Sequence, residues 1–446
     1  MSVVWNTGSA AERFRHNRRL ILKNRKRNSC TLSLITVEKV KKTIKANVSP
    51  FKPKFIKNLI PFGLNFFSFH AGFKKKKNDL LILIFEKPVN VQCVYSLTST
   101  PSAPIIWDKK NNQGKCKALI VNSGNANAHT GRNGINIINK YVLELTKKIK
   151  CKKNEILVSS TGVIGEIFDP SIIINSINKI NKTKSVDLIE AAKTIMTTDT
   201  YPKTSIKNVK IQNTNINIYG FAKGSGMIQP NMGTMLVYIF IECLLNKNQL
   251  KKLIRQNLEN SFNSISVDSD TSTSDTLMLF STSNKKINLK SYKNFKKLSI
   301  AVFELMQNLT YQVIKDGEGI SKLLEINVVK AKSTNQAKKI AFSIVNSPLV
   351  KSAIAGEDAN WGRIIMAIGK SYEKINQNKI KVSFGKNTVC KNGQIFKKIN
   401  TKQLNRYMKQ KVIKINVDLG LGKFSKTVFG NDLTYEYIQI NADYRN

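Results

Sequence analysis

Short apolar runs separated by polar, turn-forming stretches mark the chain from about residue 80 onward. Leu80–Phe85 is such a run, too short for a buried helix and bounded by charge, so it reads as a buried strand. Ala118–Val121 and Ile156–Val158 read the same way. Each leads straight into a small-residue turn, Asn122–Asn125 and Ser159–Gly162. A strand ending in such a turn is a common place for a site, because the strand aims exposed backbone N–H groups; an ordinary tight turn fits the same residues. Met235–Ile241 is the longest β-like run. A helix is predicted after it, with Leu250, Leu253, Ile254 and Leu258 on one face. Ile413–Val417 and Tyr435–Ile440 are predicted as late strands. The alternation points to an α/β or α+β fold, with mixed sheets covered by helices and no internal repeat.

Charge changes the picture at one end only. The 446 residues carry 73 Lys plus Arg against 28 Asp plus Glu, a formal net charge of +45. The lysines are spread along the chain and travel with Asn and Ile, which are encoded by A- and T-rich codons. A nucleic-acid surface would gather Arg and Lys in a stripe with interleaved aromatics. Compositional drift is therefore favoured, and no specific nucleic-acid partner is expected. The run Lys74–Lys77 reads as a solvated loop. Residues 1–50 differ: Arg13, Arg15, Arg18, Arg19, Arg25 and Arg27 cluster there with hardly any acid. That basic extension has no apolar h-region, so it reads as a disordered tail or an organelle-type presequence. The expected location is the cytoplasm, or the mitochondrial matrix if the extension is a presequence. No apolar stretch approaches the ~20 residues that span a bilayer, so no membrane partner is expected.

Several chemistries lack their residues. Cys30, Cys93, Cys116, Cys151, Cys243 and Cys390 are scattered without a CxxC pair, as for reduced thiols. His16, His70 and His129 are the only histidines, too few for most His-built metal sites or triads, and no metal is expected. Gly224-Ser225-Gly226 and Gly420-Leu421-Gly422 lack dinucleotide spacing, and no P-loop is present.

Lys223–Leu236 is the most unusual segment, packing glycines, Pro230 and Asn231 against a strongly apolar run. Gly233 stands directly before Thr234. Self-cleavage at that bond would need a sterically open peptide, which Gly permits. Thr234 would then own a free α-amine, of pKa about 7.7–8, able to act as general base for its own hydroxyl. No histidine is required. The same residues also suit a plain turn into a core strand.

Eight motifs in order decide between these readings: Val121–Ala128, Ser160–Gly165, Met196–Lys203, Lys223–Leu236, Val267–Thr276, Asp316–Gly319, Gly356–Arg363 and Ile440–Arg445. From about residue 60 to the end, the chain resembles the ornithine acetyltransferase family of arginine biosynthesis, also called bifunctional glutamate N-acetyltransferase. The resemblance implies an α/β sandwich in two lobes and self-cleavage between Gly233 and Thr234. It implies an α chain over residues 51–233, a β chain over 234–446 and an α2β2 heterotetramer of the two fragments. Thr234 corresponds to the nucleophile, and Thr161 and Gly162 to the oxyanion pair. Thr200, Lys223, Glu318, Asn441 and Asn446 correspond to substrate-binding positions, with Glu318 suited to the ammonium of ornithine and Lys223 to a carboxylate. The implied reaction moves the acetyl group of N-acetylornithine to glutamate without a cofactor; acetyl-CoA is a second donor in bifunctional members. The chain departs from the pattern at Gly233, where Ala is usual, at Ser269, where Gly is usual, and at Asn446, where Thr or Ser is usual.

Overall fold

The computed structural model describes residues 47–53, 58, 59, 61, 63–229 and 235–443. The basic extension up to residue 46, the cleavage pair Gly233 and Thr234, and Asn446 lie outside the described residues.

The apolar runs become strands of two mixed sheets. The first sheet takes β1 (Leu64–Phe69), β2 (Leu80–Tyr95), β3 (Lys115–Asn125), β4 (Ile156–Val163), β5 (Lys203–Ile211), β6 (Thr214–Lys223) and β7 (Leu236–Ile241). β8 (Ile265–Ser266) belongs to the second sheet, and β9 (Thr276–Ser281) returns to the first. β10 (Leu323–Ala331), β11 (Lys381–Phe384), β12 (Asn387–Lys391), β13 (Gln394–Ile395), β14 (Val412–Asp418) and β15 (Phe424–Asn431) complete the second. The first sheet runs β4-β3-β2-β9-β7-β6-β5 with β1 beside β2, and the second β13-β12-β11-β14-β10-β15-β8.

β7 shows why these runs are continuously apolar. Leu236, Tyr238 and Phe240 enter an aromatic core with Phe66, Phe85, Phe221 and Phe280, over which the helix Leu188–Ile195 packs. Val237, Ile239 and Ile241 face the other way, against the helices Lys247–Asn257 and Tyr292–Ile314. With both faces covered, the period-2 alternation of a half-exposed strand disappears. Ile82, Ile120 and Val158 meet the helices Ala103–Asn111 and Gly131–Ile149 in a separate cluster at the β4 end. The second sheet packs Ile326, Val382, Ile415 and Val428 against the helices Thr334–Val345, Trp361–Gly369 and Thr401–Met408.

The predicted helix after β7 is present, with Leu250, Leu253 and Ile254 buried and an Asn246–Gln249 capping box at its start. Ile413–Val417 lies within β14. Tyr435–Ile440 is a helix, Tyr435–Ala442, and not a strand. Thr434 caps it by accepting from the Tyr437 N–H, and none of its residues is buried. With no core face, its apolar residues carried no usable period. The two small-residue turns are also reassigned: β3 and β4 extend through them to Asn125 and Val163. The residue 233/234 bond does not divide the sheets. β6 precedes it, β7 follows it, and the two are paired from Ile218↔Ile241 to Lys223↔Leu236.

Candidate active site

The ends of β3 and β4 form one wall of a cleft of about 120 Å³. The strands are parallel, and Gly124 pairs with Gly162. Gly162 has φ +134°, and a methyl added there would lie 2.2 Å from the Gly124 carbonyl carbon, so only glycine permits this approach. Asn122 fastens the wall from behind: its amide donates to the Asn125 carbonyl at 2.8 Å and its oxygen accepts from the Ser160 hydroxyl at 2.6 Å. Thr161 and Gly162 are thereby presented to the cleft as neutral groups on rigid backbone.

The facing wall is charged. Lys223 ends β6 and is almost fully buried, its ammonium donating to the Thr197 hydroxyl at 2.9 Å. Burial lowers its pKa, partly offset by Asp199, with Lys203 adding to the lowering. Glu318 is also buried, which raises its pKa against the hydrogen bonds from Thr198 and Asn441. The Asn441 amide reaches the Glu318 carboxylate at 2.8 Å. Gly226 makes room for that carboxylate: a methyl there would lie 2.4 Å from it. Ser272, Thr273 and Ser274 line a further side. β7 enters the sheet between these segments, since Leu236 pairs with Lys223 on one side and Thr276 on the other.

Thr161, Gly162, Lys223, Glu318 and Asn441 are therefore brought together from positions 280 residues apart in sequence. Thr200 is not among the residues lining the cleft. Its hydroxyl and N–H both donate to Asp316, and the hydroxyl accepts from the Ser49 N–H at 3.1 Å. Thr197 and Thr198 of the same motif line the cleft instead. Seven of the eight motifs reach the cleft; Gly356–Arg363 does not, and its Asn360 caps the helix Trp361–Gly369.

A family model, the ArgJ family, matches residues 65–446, a span that holds every cleft-lining residue. The chain belongs to the ArgJ family. Among ArgJ relatives, the "arginine biosynthesis bifunctional protein ArgJ" of Bartonella henselae is 42% identical over 390 residues, covering 86% of this chain and 95% of that protein. The protein of the same name from Bradyrhizobium diazoefficiens is 41% identical over 411 residues, covering 90% of this chain and all of that one. Two crystal structures are also similar. The ArgJ protein of Bacillus halodurans gives TM-score 0.44 at 33% identity, over 47% of this chain and 99% of that one. An ornithine acetyltransferase of Mycobacterium tuberculosis complexed with ornithine gives TM-score 0.34 at 26% identity, over 38% of this chain and 93% of that one.

For this ArgJ chain, sequence reasoning missed residues that act behind the cleft. Lys74 is no solvated member of its run. Its ammonium donates to the Thr194 and Met196 carbonyls at 3.2 and 2.7 Å, tying down the start of the Thr197–Thr198 segment. Burial, opposed by Asp79, lowers its pKa to about 8. Nothing in the lysine run separates Lys74 from Lys75–Lys77. Five cysteines lie among the described residues and all are free thiols: Cys116, Cys243 and Cys390 buried, Cys93 and Cys151 half-buried. No helix among the described residues is long and apolar enough to cross a membrane.

Proposed function

We propose that this chain is the glutamate N-acetyltransferase of the arginine-biosynthesis acetyl cycle, transferring acetyl from N-acetylornithine to glutamate through an acetyl-threonine. The observation that carries this is the convergence in one cleft of a neutral Thr161–Gly162 wall and a charged Lys223–Glu318 wall, with the strand following Thr234 entering the sheet beside them. The first wall suits an oxyanion and the second suits the permanent charges of an amino acid.

In the proposed mechanism the chain cuts itself before Thr234, giving fragments of 233 and 213 residues. The new α-amine takes the proton of the Thr234 hydroxyl as its oxygen attacks the acetyl carbonyl. The negative charge that develops on the carbonyl oxygen is met by the Thr161 hydroxyl and the Gly162 N–H. Collapse expels ornithine, whose nitrogen receives the proton, and leaves an acetyl ester on Thr234. The amine of glutamate attacks that ester through the same oxyanion, giving N-acetylglutamate and restoring the hydroxyl. Lys223 holds a substrate carboxylate and Glu318 the ornithine ammonium, with Thr197 taking the role first assigned to Thr200. Asn441 orients Glu318, and Asn446 remains a proposed substrate-binding residue. No cofactor is needed; acetyl-CoA is a second donor if the chain is bifunctional. The two fragments stay paired after the cut, because β6 and β7 are neighbours in one sheet, and two such pairs make up the proposed α2β2 tetramer. The enzyme works in the cytoplasm and binds nucleic acid only weakly, through its general charge.

Intact mass spectrometry tests this. Wild-type protein should give the two fragments, and the one beginning at Thr234 should gain one acetyl group on incubation with N-acetylornithine alone. Thr234→Ala should stay full length. An active wild-type enzyme that remains one chain would sink the self-processing step, and acetyl found on a lysine would move the nucleophile elsewhere.

A further inference from the structure

Lys203 opens β5 as a fully buried ammonium between two fully buried carboxylates, 2.5 Å from Asp199 and 2.6 Å from Asp316. Burial alone would lower its pKa, but the two carboxylates outweigh that and raise it. Asp199 is held well below the ordinary carboxylate range: burial opposes this, and the Lys203 and Lys223 charges together with the Gly224 hydrogen bond override it. Three charges removed from water in one place are expensive, and apolar side chains of similar volume commonly do as well for stability. The arrangement calls for another explanation.

The remaining acceptor positions of the two carboxylates supply it. One oxygen of Asp199 also accepts from the Gly224 N–H at 2.8 Å, next to Lys223. Its other oxygen accepts from the Thr197 N–H at 3.0 Å. Asp316 accepts from the Thr200 N–H at 2.9 Å and stands two residues before Glu318. Every segment of the charged wall that carries Thr197, Lys223 or Glu318 is thus tied to one ammonium that does not itself line the cleft. Thr161 and Gly162, on the other wall, are not tied to it.

We propose that Lys203 is a positioning residue of this enzyme: through Asp199 and Asp316 it fixes the separation of Thr197, Lys223 and Glu318, and so the fit of the substrate's charged groups. The proposal rests on the reading of Lys223 and Glu318 as substrate contacts. Without the clamp, Asp199, which holds the Thr197 and Gly224 backbone, is no longer joined to Asp316, which holds Thr200 and stands two residues before Glu318, and the charged wall loosens while the oxyanion wall keeps its geometry. Binding should suffer more than chemistry.

The experiment compares wild type with Lys203→Met/Asp316→Asn, which removes one charge of each sign and leaves Asp199 its two backbone donors. Lys203→Arg and Lys223→Met are run beside it. Steady-state kcat and KM are measured with N-acetylornithine and glutamate, and the equilibrium Kd for ornithine by calorimetry, which needs no turnover. Loss of a charge-assisted contact corresponds to roughly 10–100-fold in affinity. The double variant should raise both KM values and the ornithine Kd by about that factor, with kcat changed much less, and Lys203→Arg should recover part of the loss. Unchanged KM and Kd with a lowered melting temperature would make Lys203 merely structural and overturn the proposal. If Lys223→Met raises KM while the double variant does not, the proposal fails and the reading of the site stands. If Lys223→Met leaves KM and Kd unchanged, the site reading fails and takes the proposal with it.

Discussion

The two walls of the cleft solve different electrostatic problems. The Thr161–Gly162 wall carries no formal charge and is made of strand ends whose positions are set by β3–β4 pairing and a glycine contact. The Lys223–Glu318 wall carries both signs of charge on segments held by backbone N–H to carboxylate hydrogen bonds. Charge that appears only during reaction is best met by neutral dipoles already in place, which cost little reorganisation. Charge that the substrate brings with it needs an opposite charge, and a buried charge needs its own support. The neutral wall should therefore govern kcat, and the charged wall KM and pH dependence.

The largest effect should come from Gly162→Ala. The added methyl collides with the Gly124 backbone and forces φ +134° on a residue that avoids it, so the strand ends must separate. Turnover should fall by more than the ~10²–10³ expected for one lost oxyanion donor. Normal kcat in that variant would remove the strand ends from the chemistry. Thr161→Ala should lower kcat by about 10²–10³ with little change in KM. A raised KM with intact kcat would instead place Thr161 among the binding groups and erase the contrast between the walls.

Gly226→Ala sharpens the contrast from the other side. The methyl would press on the Glu318 carboxylate, so KM for N-acetylornithine should rise by roughly 10-fold or more, the scale of a disturbed charged contact, with a smaller change in kcat. Equal losses in kcat and KM would show that the two walls are not separable. Asn441→Ala should be mildest, about 2–10-fold in kcat/KM near neutral pH. Glu318 must be ionised to hold an ammonium, and burial already raises its pKa. Removing a donor to its charged form raises it further, so the acidic limb of the kcat/KM profile should move to higher pH, while rates on the alkaline side of that limb approach wild type. A limb that moves to lower pH would show that the Asn441 amide favours the protonated acid.

The core strands were legible because burial on both faces of the first sheet leaves unbroken apolar runs, as in Leu236–Ile241. The C-terminal helix was not, because Tyr435–Ala442 buries nothing and its spacing records no core. Within the site, the motif Met196–Lys203 was visible but its division of labour was not. Three of its threonines look alike in sequence, yet Thr197 meets Lys223, Thr198 meets the Ser225 hydroxyl and Thr200 is spent on Asp316. Lys74 and Lys203 escaped for a related reason: a lysine that donates to buried carbonyls or carboxylates is spelled the same as one in water.

The sequence by itself determined the family, through eight ordered motifs, and the residue types the chemistry needs. Glycines stand where backbones must approach, a threonine follows a small residue, and a lysine and a glutamate suit an amino acid's two charges. Tertiary structure alone decided which of these groups share a cleft, which two threonines of three line it, and which lysines lie behind it. The physical reason is range. Backbone conformation follows from residues a few positions away, and a strand covered on both faces leaves an unbroken apolar run in the sequence. A buried ion pair such as Lys203–Asp316 joins positions 113 residues apart, and it exists only once the fold has removed both groups from water.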